Sequence, residues 1–301
     1  MVASKSFAKR RLRPIQAKNR STTQRRGLTA IVNGAEPNEL EVIVVCNGCT
    51  DNTAVIARRF GPSVHVIETN ISNKAHALNL GDQAARGFPR IYVDADVVVN
   101  LDVIRALASR LLQGDMLAVA PRPSISLEGC SWLVRAYFAI RARLPSAQQG
   151  IGGSGVYALS EAGRKRFGAF PDVIADDGYV RIQFRSEERE TLDDVISTVC
   201  APRTIRDLIT IRSRAHYGST ELAERFPHLW KNKGEANHGA LIKLLNFPHL
   251  WPQLLLYALV NTIARLRANR RLRLKSPIWE RDNTSRQIAS PAPTASGDRL
   301  P

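Results

Sequence analysis

Glu41-Val42-Ile43-Val44-Val45-Cys46-Asn47-Gly48-Cys49-Thr50-Asp51-Asn52-Thr53 holds a strand, a turn and a helix start. After its first residue the run to Val45 is apolar and β-branched, the composition of a parallel strand buried on both faces. Asn47-Gly48 supplies the turn, and Asp51-Asn52-Thr53 offers capping side chains for a helix running to Phe60. The alternation continues downstream. Val64-His65-Val66-Ile67 reads as a strand, 74–86 as a helix, Arg90-Ile91-Tyr92-Val93 as a strand, a helix begins near Leu101, and Leu117-Ala118-Val119-Ala120 is the next strand. Strands and helices alternating at this spacing predict an α/β fold: a doubly wound, mostly parallel sheet flanked by helices. Ligands of such sheets bind beyond the carboxyl ends of the strands, so the loops after Val45 and Val93 are where chemistry is expected.

The 301 residues suffice for one large α/β domain and a short appendage. Hydrophobic content of 44% and charged content of 23% exclude a disordered chain. The net charge of +16 suggests a nucleic-acid binder until it is located. Residues 1–26 hold nine Lys/Arg and no acid, and residues 265–275 hold six more, again with no acid. The body between them is close to neutral, neither end has interleaved aromatics, and no nucleic-acid partner is expected. Cys46, Cys49, Cys130 and Cys200 are too few and scattered for a disulfide scaffold, which points to a reducing compartment. Cys46 and Cys49 form a C-x-x-C, but no second pair completes a zinc site. The N-terminus lacks the apolar run of a secretory signal.

Residues 241–264 are mostly apolar, yet Lys243, Asn246, Pro248, His249, Pro252 and Gln253 interrupt them, so spanning a bilayer is not expected. Two readings stand side by side: an interfacial helix held against anionic lipid by the basic run that follows, or a helix packed on the domain. Residues 285–301 have the composition of a disordered tail.

Asp94-Ala95-Asp96 leaves the apolar strand ending at Val93. Two carboxylates at i and i+2 can share one hard divalent cation, Mg²⁺ or Mn²⁺, whose shell substrate phosphates complete. A solvated turn, with Asp96 or Asn100 capping the next helix, reads equally from those residues alone. The order of motifs adds to the signal. Upstream of the D-x-D lie Asn47-Gly48-Cys49-Thr50-Asp51-Asn52-Thr53 and Lys74 with Ala77-Leu78-Asn79-Leu80-Gly81; downstream come Gly152-Gly153-Ser154-Gly155 and Asp176-Asp177.

In that order the chain resembles the family-2 glycosyltransferases over residues 28–215, and the resemblance implies a GT-A-like fold with a C-terminal helical appendage. It further implies transfer of a sugar from a nucleoside-diphosphate sugar to a lipid or glycan acceptor, with inversion and with Mg²⁺ or Mn²⁺ as cofactor. Asn47 and Asp51 then sit at the nucleoside, Lys74 near a phosphate, Asp94 at the ribose or metal, and Asp96 on the metal. Gly153 and Ser154 belong to the loop near donor sugar and acceptor, and Asp177, beside Asp176, is the general base. Plain readings remain for each: a surface lysine, a glycine turn, a helix cap. Arg212 and Arg214 lie where processive members carry a Gln-x-x-Arg-Trp motif, which is not present, so only a phosphate or acceptor role is assigned to them. The cysteine usage and the basic run after 264 together give the expected location, cytoplasmic and at the inner face of the plasma membrane.

The match fails at the start. Family members open with an apolar strand ending near an Asn-Glu, whereas here Ala17-Lys18-Asn19-Arg20 falls at that strand's exit and Lys9-Arg10-Arg11-Leu12-Arg13 precedes it. A row of charges cannot enter a sheet core unpaired. A degenerate or missing first strand is therefore expected, from a shifted frame, a wrong start or decay, with a catalytically inactive remnant as the alternative function. The expected organisation is an irregular basic segment over 1–26, the transferase domain over 27–230, a helical and membrane-associated segment over 231–284, and the tail.

Overall fold

The computed structural model describes residues 15–17, 21–234 and 237–274. The basic run 9–13, the exit residues 18–20, the stretch 279–282 and the tail 285–301 lie outside the described residues. Seven strands form one sheet: β1 (Ile15–Ala17), β2 (Val42–Asn47), β3 (Val64–Thr69), β4 (Arg90–Val93), β5 (Ala118–Ser126), β6 (Val156–Leu159) and β7 (Arg189–Cys200). The helices are α1 (Ser21–Val32), α2 (Thr53–Arg58), α3 (Lys74–Ala84), α4 (Leu101–Leu112), α5 (Trp132–Arg141), α6 (Glu161–Arg164), α7 (Asp176–Ile182), α8 (Ile205–Arg225), α9 (His238–Leu244) and α10 (Trp251–Arg273).

The strand order is β3-β2-β1-β4-β6-β5-β7. β1, β2, β3 and β4 run parallel, β6 runs antiparallel to both its neighbours, and β7 is parallel to β5. The α/β, mostly parallel sheet expected from the alternation is thus the observed one.

The first strand requires a correction. Residues 1–26 were expected to be irregular, yet Ile15–Ala17 forms β1 at the centre of the sheet and α1 starts at Ser21. Ile15 pairs with Val44 on one side and Val93 on the other, so three residues bridge the two strands whose loops carry the motifs. The strand is short rather than absent. A parallel strand flanked on both sides draws its hydrogen bonds from two neighbours, so backbone pairing holds it where side-chain periodicity gives no warning.

Residues alternate between the two faces of the sheet, as a pleat requires. Val44, Cys46, Ile91, Val93 and Val119 pack with Leu28 of α1 and Leu107 of α4 on one face. Tyr92, Tyr157, Ala118 and Ala120 pack with Leu78 of α3 and Val180 of α7 on the other. A third cluster joins α5, α8 and α10 through Val134, Tyr137, Leu208, Tyr257 and Val260. The segment over 241–264 is therefore neither wholly packed nor wholly exposed. Tyr257, Val260, Asn261, Ala264 and Ala268 of α10 are buried on the domain, while Trp251, Leu255, Leu259 and Leu266 are each more than half exposed. Among the described residues no helix is long and apolar enough to cross a membrane.

Candidate active site

Strand β2 and the loop at the carboxyl end of β4 meet the N-termini of α3 and α7 in one pocket. Lys74, Asp94, Gly152, Gly155, Tyr157, Asp176 and Asp177 line it, over a floor that includes Val45 and Tyr92. The Lys74 ammonium lies 2.9 Å from the Asp94 carboxylate and 3.0 Å from that of Asp176. One cation thus ties the loop after β4 to the first turn of α7. Asn73 positions it by capping α3, its side chain accepting the His76 amide at 2.8 Å.

Electrostatics follow from this crowding. Burial alone would lower the Lys74 pKa, but Asp176, Asp94 and Asp177 together hold it above the ordinary lysine range. Burial pushes the Asp94 carboxyl up, with Lys74 opposing and Asp96 adding repulsion. Asp176 is pushed up to about 6 by burial, with Lys74 opposing and then Asp177 and Asp94 raising it further. Clustered, desolvated carboxylates around a lysine are the pattern of a site rather than of a solvated turn.

The two acids of the D-x-D separate in environment. Asp94 is part-buried, lines the pocket, and its amide donates to the Gly155 carbonyl at 2.8 Å, whereas Asp96 is exposed and does not line it. The capping reading is settled for Asn100, whose side chain accepts the Val103 amide at 3.0 Å and starts α4. Among the described residues no three His, Cys, Asp or Glu side chains form a metal cage. The donor set of Asp94 and Asp96 fits a hard cation that takes one or two carboxylates and completes its shell with phosphate oxygens.

Asp177 is half-buried and faces the pocket, one carboxylate oxygen accepting the Gly178 amide at 2.7 Å. Its neighbour Asp176 is committed to Lys74, and Asp177 lines the pocket beside that ion pair.

The glycine loop divides. Gly155, at φ +66°, must lack a side chain, since a Cβ there would lie 2.5 Å from a Val97 methyl and 3.6 Å from Asp94. Ser154 departs from its expected contact with the donor: it is fully buried, and its hydroxyl lies 2.8 Å from the Gly150 carbonyl and 2.6 Å from that of Val156. It braces the loop from within. Gly153 likewise closes the turn, its amide donating to the Gly150 carbonyl at 3.1 Å. Asn47 ends β2 and Asp51 follows in the next loop, and neither lines the pocket. The Asn47 amide donates to the Asn73 carbonyl at 3.2 Å, and Asp51 accepts the Thr53 amide at 3.1 Å. Cys46, buried in β2, has its thiol pushed up by a hydrogen bond with Cys49 and by burial.

Tyr157 was not foreseen. It stacks on Tyr92 at 4.8 Å, and its buried hydroxyl has no hydrogen-bond partner among the described residues. A tyrosine in the otherwise apolar β6 was the available signal.

Residues 15–150 match the family model described as glycosyl transferase family 2, which bears out the resemblance read from the motifs. No curated protein matches the chain in sequence. Among solved structures, the chain is similar to a mannosyltransferase from Pyrobaculum calidifontis in complex with GDP-Man and Mn²⁺: 19% identity, TM-score 0.61, covering 90% of this chain and 89% of that one. It is also similar to glucosyl-3-phosphoglycerate synthase from Mycobacterium tuberculosis in complex with Mn²⁺, UDP-glucose and phosphoglyceric acid: 18% identity, TM-score 0.53, covering 72% of this chain and 79% of that one. At these identities the likeness establishes the GT-A-like fold.

Proposed function

Taking the family-2 match on a GT-A-like fold as the premise, we propose that the protein transfers a sugar from a nucleoside-diphosphate donor to a lipid or glycan acceptor, with inversion at the anomeric carbon. The observation that carries this is the convergence of Lys74, Asp94, Asp176 and Asp177 from three elements on one pocket beyond the strand ends. Asn47 and Asp51 receive the nucleoside, and Gly153 and Ser154 shape the loop that approaches the sugar. Lys74 exchanges a carboxylate for a donor phosphate. Asp94 and Asp96 would hold Mg²⁺ or Mn²⁺, which when bound supplies Lewis-acid neutralisation of the leaving diphosphate.

Asp177 takes the proton of the acceptor hydroxyl. The freed oxygen attacks the anomeric carbon, the bond from that carbon to the diphosphate oxygen breaks, and the nucleoside diphosphate leaves. One displacement inverts the centre. Asp176 and Lys74 position that base without touching the reacting atoms.

The outer face of α10 supports membrane contact. Trp251, Leu255, Leu259, Ile263 and Leu266 are exposed at helical spacing, with Arg265, Arg270 and Arg273 exposed toward the C-terminal end of the helix. Such a face lies in the plane of an anionic bilayer, here the inner face of the plasma membrane.

The test is turnover. Release of nucleoside diphosphate from GDP-mannose, UDP-glucose and related donors is followed with Mn²⁺ in wild type and Asp177→Asn. The variant is expected to lose about 10²-fold or more in kcat while its nucleotide affinity holds. Equal turnover in both proteins would remove Asp177 from the chemistry.

A further inference from the structure

A group of cations sits away from the carboxylate pocket, where α5, α8 and α10 meet. Arg141 ends α5, Arg212 and His216 share a face of α8 at i and i+4, and Arg265 lies on α10. Tyr257, stacked on Tyr137 at 4.9 Å, is the common neighbour of the three arginines. Asn261 accepts from the Tyr137 hydroxyl at 3.5 Å and lies 3.4 Å from the His216 ring. Burial lowers the Arg141 pKa, and Arg212 lowers it further; burial, Arg212 and Arg265 depress His216. No carboxylate among the described residues bears on either group. The Arg212 Nε is buried without a hydrogen-bond partner among the described residues.

Like charges held close together, with Arg141 and Arg212 half-buried and Arg265 exposed beside them, repel unless a counter-ion completes them. Guanidinium forks match the geometry of a phosphate, and an uncharged ligand would leave the charges unanswered. The position ties the cluster to the pocket. Gly218 of α8 is pressed against Ala175, the residue before Asp176, so that a Cβ there would lie 2.8 Å from the Ala175 Cβ. Arg212 is six residues earlier, about 9 Å along the helix axis.

We propose that this junction is a phosphate site, in which Arg141 and Arg212, with Arg265 at the rim, hold a phosphate group of the acceptor while its hydroxyl reaches Asp177. The assignment of that phosphate to an acceptor rests on the transferase reading above; the anion site itself does not. The shared chemistry is a phosphate ester, whether on a lipid or on a soluble molecule.

The full chain is melted in chloride buffer of fixed ionic strength, with and without inorganic phosphate, and separately with Mn²⁺ plus nucleoside diphosphates. Wild type is expected to gain about 3 °C at a tenfold excess of phosphate over its dissociation constant. Arg212→Met is expected to melt within a degree or so of wild type in chloride, because the half-buried Arg212 has no hydrogen bond at its buried Nε to lose. It is also expected to lose the phosphate shift and keep the diphosphate shift. Arg141→Gln serves as a second variant, and Arg206→Met, an exposed arginine of the same helix, is expected to keep both shifts. A phosphate shift that is absent in wild type, or equal in wild type and Arg212→Met, overturns the proposal. A phosphate shift specific to Arg212 with no diphosphate response anywhere would leave the anion site standing and sink the transferase reading. Pelleting with phosphatidylcholine vesicles, with and without phosphatidic acid, separates the sources. Weaker pelleting of Arg212→Met assigns a lipid phosphate, and unchanged pelleting with a lost phosphate shift assigns a soluble ester.

Discussion

At the scale of single residues, the site is an arrangement of charges held in place by one lysine. With Lys74 removed, Asp94 and Asp176 face each other across the pocket without the ammonium between them. Lys74→Met is therefore expected to cost about 2 kcal/mol by urea denaturation, below the fully buried range because Asp94 is partly open to water. Added Mn²⁺ should recover part of that loss. An unchanged midpoint would mean that the lysine holds nothing. His216 gives a pH signature of the second cluster, since burial first and Arg212 next depress it to about 4 from 6.5. The unfolded chain then binds more protons than the native one between those values, so the contribution is complete above pH 6.5 and is lost as pH falls towards 4. The difference is of order 3 kcal/mol at most. Denaturation at neutral and acidic pH in phosphate-free buffer should show a flatter pH dependence for His216→Gln than for wild type. The acids and Lys74 were legible because they stand in chain order beside strand ends. Tyr157 and Arg141 were not, because what singles them out is who their neighbours are across elements far apart in sequence.

Among the secondary-structure elements, β2 and β4 announce themselves through runs of β-branched and apolar residues, and their sequence-derived limits agree with the structure to within a residue or two. β1 did not. Three residues beside a basic run are too few for alternation to register, and only the pairing of Ile15 with both Val44 and Val93 makes them a strand. Because β1 separates β2 from β4, removing residues 1–20 should expose the edges of both and abolish cooperative unfolding in a calorimeter. A truncated chain with the wild-type melt would show that the strand is dispensable. α10 carries the opposite lesson: its sequence left a packed helix and an interfacial one equally open, and the structure gives it one packed face and one exposed apolar face. Leu255, 72% exposed, is the test position, because a charge there disturbs no packing. Leu255→Glu is expected to leave the melting temperature within a degree or so and to weaken sedimentation with phosphatidylserine-containing vesicles several-fold. Equal sedimentation would take α10 off the membrane.

For the molecule as a whole, the net charge of +16 describes the ends more than the body, and the body's electrostatics concentrate in two places of opposite sign. Carboxylates gather at the carboxyl ends of β4 and the start of α7, and arginines gather where α5, α8 and α10 join, with α8 linking the two. That division matches a transferase that neutralises a donor diphosphate with a cation at one end and anchors an anionic acceptor at the other. The measurement that bears most directly on it is the thermal melt of wild type and Asp96→Ala with Mn²⁺ and a panel of nucleoside diphosphates. Asp96 is exposed on the loop after β4, so Asp96→Ala removes no packing and reads the proposed cation site. Expected is a Mn²⁺-dependent rise of several degrees with one diphosphate in wild type, absent in Asp96→Ala. The same rise in both proteins, or none in a cooperatively folded wild type, would contradict a donor site built on Asp94 and Asp96.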